Sequence, residues 1–361
     1  MIYLDNASAA LPDNETAAFF AEALKKYGAN QEAAHKAGYQ LRQEISRAGR
    51  ELSQIVTDSP DWQVIWCSSA TEAFHIFSHC CSSDKKQILT SRMEHPALSA
   101  ALRRISPDIN FLSPDKKTGQ LHVEKLPSCD IAAFHLIQSE TGIVQDTEKL
   151  FASTPGAIHF LDAVQGACKI TVPCRHADII AVSGNKFGAP GCGALLLSPN
   201  FSEADDFIQR ANKLRHKEYL IGRVPPAAIL TCAFAAKRAS GQMKQHQSRI
   251  ADLNDLLRRE CAKLDFIPTI QKEFSSPYIL HLLAPGFQGG VLVRMLSEEG
   301  VLLSSGSACA SETKEPSPAL TALGYSKKEA YSGLRISLDF STTENDVKFL
   351  LSSLEMVLKK Y

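Results

Sequence analysis

Between residues 60 and 200 the chain alternates short apolar runs with stretches whose apolar residues recur every three or four positions. The runs WQVIWCSS (62–69), KQILTS (86–91), CDIAAFHLI (129–137), AIHFLDA (157–163), ADIIAVS (177–183) and GALLLS (193–198) predict buried strands. Between them, ATEAFHIFSHCC and HPALSAALRRI have helical spacing. This succession predicts an α/β layer with a mainly parallel sheet. After about residue 236 a polar helical stretch, KRASGQMKQHQSRIADLNDLLRRECAKL, predicts a long connecting helix. The shorter strands YILHLL, VLLSS and LRISLD and the closing helix TENDVKFLLSSLEMVLKK then predict a second, smaller α+β domain. Residues 14–240 form the large domain in this reading, and residues 1–13 with 241–361 the small one.

Composition narrows the function without naming it. The 361 residues include 39 basic and 39 acidic side chains. That balance gives no bulk field to recruit nucleic acid or anionic lipid. The ten cysteines are scattered, with Cys80 and Cys81 the only close pair and no CxxC motif, so reduced thiols in a cytoplasm are expected. MIYLDNASAA has neither a basic start nor a long apolar run. The apolar window AAILTCAFAA (227–236) falls short of the ~20 residues of a membrane helix. His75 and His79 beside Cys80 read as a packed helix face, and no metal is expected.

The most informative window is ADIIAVSGNKFGAPGCGALLL (177–197). A strand ends at Ser183, and Lys186 follows among small residues. In open α/β sheets ligands sit beyond the carboxyl ends of the strands. Thr71 and Glu72, Glu94 and His95, Gln138 to Gly142, and Asp162 and Gln165 also follow predicted strands, so together they can build one site. Pyridoxal phosphate would use such a set. Lys186 would carry its aldehyde, and Asp162 would keep the ring nitrogen protonated. His95 would lie on the ring and Gln165 would donate to the phenolic oxygen. Thr71 and the backbone at Ala70, at a helix start, would take the phosphate.

SSGSACASE (304–312) remains, with Cys309 alone among small residues. With it the chain resembles the cysteine desulfurases of the class V aminotransferase family, fold type I pyridoxal enzymes. The matching segments run in the family's order from YLDNASAA at residue 3: SSATEAF, MEHPAL, QSETGIVQD, FLDAVQG, SGNKFGAPGCG, SSGSACASE, EPSPALTALG and LRISLDFSTTE. The resemblance implies an aspartate aminotransferase-like fold, with a seven-stranded, mainly parallel sheet in the large domain. It implies the roles above for Lys186, Asp162, Gln165 and His95, with His95 also assisting proton transfer. Thr71 and Ser183 would hold the phosphate, and Arg335 would clamp the substrate carboxylate with a bidentate fork. Cys309 would take the sulfur of L-cysteine as a persulfide and release alanine, its small neighbours letting the segment approach and withdraw. A homodimer is expected, with an unidentified sulfur acceptor and iron–sulfur cluster or thio-cofactor assembly as the destination.

Several positions depart from the family pattern. Asn185 stands before the lysine where the family carries histidine, and Gln138-Ser139 replaces an asparagine doublet, leaving Ser139 to reach the substrate. Phe160 and Ser69 replace a common histidine and glycine. The loop that ordinarily reaches the neighbouring subunit's phosphate aligns with LIGR (220–223), where Arg223 would take over from a threonine. Two other readings stay open: another class V chemistry, such as an aminotransferase or a selenocysteine or cysteine-sulfinate lyase, and a non-catalytic relative that binds partners.

Overall fold

A computed structural model describes residues 1–81, 86–218, 220–306 and 316–360. The short strand β1 (Ile2–Tyr3) leads to α1 (Asn14–Lys26), which starts where the Asp13 carboxylate accepts from the Thr16 N–H at 2.7 Å. Helix α2 (Lys36–Thr57) buries Leu41, Ala48, Leu52 and Val56, one stripe at helical spacing. Then come β2 (Gln63–Cys67), α3 (Ala70–Cys81), β3 (Ile88–Ser91), α4 (Pro96–Ile105), β4 (Ile109–Leu112), β5 (Ile131–His135), α5 (Thr147–Ala152), β6 (Ile158–Asp162), β7 (Ile179–Ser183) and β8 (Gly193–Leu197). All six expected strands form within a residue or two of their runs. The sequence reading missed β4, whose INFL is only half-buried on the sheet's edge.

These strands make one seven-stranded sheet in the order β2-β8-β7-β6-β5-β3-β4. Only β8 runs antiparallel to its neighbours. Successive side chains of a strand face opposite ways, and here both faces are covered. Ile131 and Ala133 of β5 join the core beneath α3 and α4, while Ala132 and Phe134 join the core on the other side. That double burial is why the runs are continuously apolar.

Helices α6 (Ala204–His216) and α7 (Pro226–Ala262) follow. The long helix starts some ten residues earlier than the polar stretch suggests. AAILTCAFAA forms its opening turns, with Ile229, Leu230, Cys232, Ala233 and Ala236 all buried, so no amphipathic stripe announces it. The change of composition near residue 236 falls inside one continuous helix. The rest comprises β9 (Ile267–Pro268), β10 (Ile279–Leu283), α8 (Gly289–Glu298), β11 (Val301–Leu302), α9 (Pro318–Ala322), α10 (Lys327–Ala330), β12 (Gly333–Ser337) and α11 (Glu344–Lys360). Strands β12, β10 and β9 form an antiparallel sheet, and β1 pairs in parallel with β11. Among the described residues no helix is long and apolar enough to cross a membrane.

Candidate active site

At the carboxyl ends of β2, β5, β6 and β7 a cavity of about 250 Å³ gathers Ala70, Thr71, His95, Ser139, Asp162, Gln165, Ser183, Asn185, Lys186 and Arg335. The strand ends of the large sheet bring together the residues from Ala70 to Lys186, and Arg335 arrives from β12 of the other sheet. Two expected site residues are not among them. Cys309 lies outside the described residues. Arg223 is exposed on the surface, pairing with Glu32 and donating to Asn30 Oδ1 at 3.0 Å. It lines a separate shallow cleft with Arg215 and His216, so within its own chain it does not reach the cavity.

Local sequence fixes each wall. Helix α3 begins at the cavity, where Ser69 Oγ accepts from the Glu72 N–H at 3.2 Å and the Glu72 carboxylate accepts from the Ser68 N–H at 2.6 Å. A helix start carries partial positive charge and favours an anion. Behind it Gly193 leaves no room for a side chain: a Cβ there would lie 2.9 Å from the Ser69 carbonyl carbon and 3.2 Å from the Ala70 nitrogen. His95 caps α4, its Nδ1 accepting from the Ala97 N–H at 3.2 Å, with Pro96 starting the helix. Burial, reinforced by Lys186, lowers the His95 pKa, so the imidazole is neutral at physiological pH.

Asp162 ends β6 at the cavity floor, with Oδ1 accepting from the Val164 N–H at 3.0 Å. Burial raises its carboxyl to about 7. A carboxylate this desolvated lacks a full counter-charge, which suits it to a protonated ring nitrogen. Gln165 donates through Nε2 to the Ala7 carbonyl at 2.8 Å, while its buried Oε1 has no hydrogen-bond partner among the described residues. Lys186 donates to the Ser8 carbonyl. Arg335, 2% exposed, donates to Asp5 Oδ1 at 2.7 Å, Ser8 Oγ at 2.6 Å and the Ser139 carbonyl at 3.0 Å. Residues 5 to 8 therefore hold Lys186, Gln165 and Arg335 together. The lysine, the partly ionised carboxyl and the helix start fit a pyridoxal phosphate group.

Neither residue of the 138–139 pair offers a long amide to the cavity. Gln138 is spent on its own turn, Oε1 accepting from the Glu140 and Thr141 N–H groups at 2.7 Å each, and Ser139 presents only its short side chain. The structure also supplies partners for several polar groups to which the sequence assigned no separate role. Asp5 is the partner of Arg335. Glu140 accepts from the Ser317 hydroxyl at 2.5 Å, and a Cβ on Gly306 would sit 2.8 Å from its other oxygen, so it touches both described ends of the segment that contains Cys309. Lys169 is 3% exposed, and burial lowers its amine to about 8. His135 and Glu94 pair beneath the cavity at 2.8 Å. The histidine in the otherwise apolar AAFHLI was the available signal for that pair.

Comparison with known proteins gives one consistent picture. The aminotransferase class-V family model matches residues 2–350. The chain is 26% identical to a cysteine desulfurase IscS of Acinetobacter baumannii (strain AYE), covering 99% of this chain and 93% of that one. It is also 26% identical to a cysteine desulfurase of Azotobacter chroococcum mcd 1, covering 96% and 89%. Among solved structures, a NifS-like protein superposes over the full length of both chains with a TM-score of 0.86 at 20% identity. The apo structure of a cysteine desulfurase from Thermococcus onnurineus NA1 superposes with a TM-score of 0.82 at 17% identity, covering 100% and 95%. At these identities the superpositions establish the fold.

Proposed function

The chain belongs to the class-V aminotransferase family, and we propose that it is a pyridoxal phosphate-dependent cysteine desulfurase, converting L-cysteine to L-alanine with a persulfide on Cys309. The supporting observation is the convergence of Lys186, Asp162, His95, Gln165 and Arg335 on one cavity in a chain that aligns end to end with desulfurases. Bound pyridoxal phosphate supplies an electron sink next to the substrate's α-carbon. Lys186 would hold its aldehyde, Asp162 its ring nitrogen, and Gln165 its phenolic oxygen. The start of α3 at Ala70 and Thr71, with Ser183 and Asn185, would hold its phosphate. His95, being neutral, would lie on the ring and take and return a proton. Arg335 receives the substrate carboxylate in exchange for one of its contacts to Asp5, Ser8 or Ser139. The Cys309 thiolate then attacks the substrate sulfur, and the S–C bond breaks as alanine leaves.

The same reading takes the protein as a cytoplasmic homodimer, with residues 14–240 as the cofactor-binding part and 1–13 with 241–361 as the smaller part. Across the dimer, Arg223 contacts the partner's phosphate, and an acceptor protein collects the sulfur for iron–sulfur cluster or thio-cofactor assembly. The test is incubation with L-cysteine, cofactor and reductant, with alanine and sulfide measured together. Equal amounts of both are expected, with Cys309→Ala inactive and borohydride fixing the cofactor at Lys186. Full turnover by Cys309→Ala would reject the mechanism.

A further inference from the structure

Beneath the cavity lies a buried chain of polar groups that the roles above do not use. The Ser91 hydroxyl donates to Glu94 Oε1 at 2.7 Å, and the same oxygen lies 2.8 Å from His135 Nδ1. Glu94 is 5% exposed and His135 3%. Each also keeps one buried atom, Glu94 Oε2 and His135 Nε2, without a hydrogen-bond partner among the described residues. His135 and Asp162 stand directly opposite each other on β5 and β6, about 4.8 Å apart at the strand spacing, and both line the cavity. Two carboxylates thus flank one buried imidazole at the cavity floor.

We propose that His135, as an imidazolium held by Glu94, is the buried counter-cation that separates the two carboxylates and keeps Asp162 ionised against the ring nitrogen of the cofactor. This makes His135 and Glu94 positioning residues, acting through Asp162, and it rests on the pyridoxal phosphate reading of the site. Charge decides the matter. Glu94 and Asp162 ionised together with nothing between them would be two like charges in a low dielectric, and one would take up a proton. An imidazolium between them leaves a set of net charge −1, which a protonated ring nitrogen brings to zero. Burial alone opposes a charged His135, but the charge and hydrogen bond of Glu94 outweigh it and leave its pKa raised. The other titratable groups at this end are Lys186 after β7, His95 at the head of α4 and Arg335 on β12. Of these, Lys186 also favours the ionised Asp162.

The test uses holoenzyme loaded with pyridoxal phosphate labelled with ¹⁵N in its ring. In the unsubstituted protein the label should resonate as a protonated nitrogen at pH 7.5. His135→Gln keeps a hydrogen-bonding side chain but removes the cation, so the proton should move to Asp162 and the signal towards the neutral ring. Adding Glu94→Gln removes the repulsion, and the double variant should move the signal back towards the starting position. A single variant with the wild-type signal, or a double variant no different from the single, overturns the proposal. Histidine-labelled wild type covers the case in which His135→Gln does not fold. One imidazole must remain doubly protonated at pH 7.5, where an ordinary one is about 90% neutral; its absence overturns the proposal equally. Failure of the wild type to take up the cofactor overturns the parent reading and this one together, whereas an unshifted signal in loaded, cysteine-cleaving variants overturns this one alone.

Discussion

The site's individual residues are held in states they would not adopt in water. Asp162 is raised from 3.8 to about 7, so keeping it ionised in the cofactor-free chain costs about 4 kcal/mol at most. The folded form binds the proton more tightly than the unfolded form. Its contribution to stability is therefore complete below 3.8 and lost as the pH rises through 7. Cofactor-free protein should melt at lower temperature at pH 8 than at pH 5.5 on this account. Asp162→Asn should raise the melting temperature at pH 8 while lowering kcat about 10²-fold, both read on the same preparation. Arg335 gives a second case. Its planar fork serves three acceptors at once, which a lysine's point charge does not reproduce. Arg335→Lys should raise KM for L-cysteine about tenfold or more, measured by alanine formation, and an unchanged KM would end its assignment as the carboxylate clamp.

Elements position these residues through close backbone approach. The start of α3 faces the cavity because β8 passes directly behind it, and Gly193 makes that passage possible. With a Cβ 3.0 Å from the Val182 carbonyl oxygen and 2.9 Å from the Ser69 carbonyl carbon, Gly193→Ala must shift backbone rather than a flexible side chain. It should cost roughly 1–3 kcal/mol of stability and weaken pyridoxal phosphate binding, read by urea unfolding and by cofactor titration. Helix α7 works over a longer span. Its Arg238 holds Asp13 at the cap of α1 at 2.7 Å, and its Arg249 donates to the Phe340 and Thr342 carbonyls. Arg249→Ala should loosen the approach to α11 by about 1–3 kcal/mol without changing the spectrum of the bound cofactor.

For the molecule as a whole, the proposed dimer gives Arg223 a role that its own chain does not. Arg223 lies outside its own chain's cavity, so any part it has in cofactor binding is across a dimer. Arg223→Ala should then weaken cofactor retention several-fold in sedimenting dimers while leaving the melting temperature of the cofactor-free protein unchanged. Equal retention would assign Arg223 to its surface pair with Glu32.

The α/β layer was legible in the chain because strands buried on both faces are continuously apolar, and here six such runs alternate with stretches of helical spacing. The gathering of Thr71, His95, Asp162 and Lys186 at one cavity was legible because strand ends of an open sheet lie together, and each of these residues lies at or just beyond the end of an apolar run. The opening turns of α7 were not legible, since a helix segment buried on all sides has no stripe. Nor were the partners. Arg335 meets Asp5 across 330 residues, and His135 meets Glu94 across 41. Periodicity reports which face of an element is buried, but not which distant polar group waits there. Only packing the sheet and closing residues 5 to 8 over it settled which charges neutralise one another.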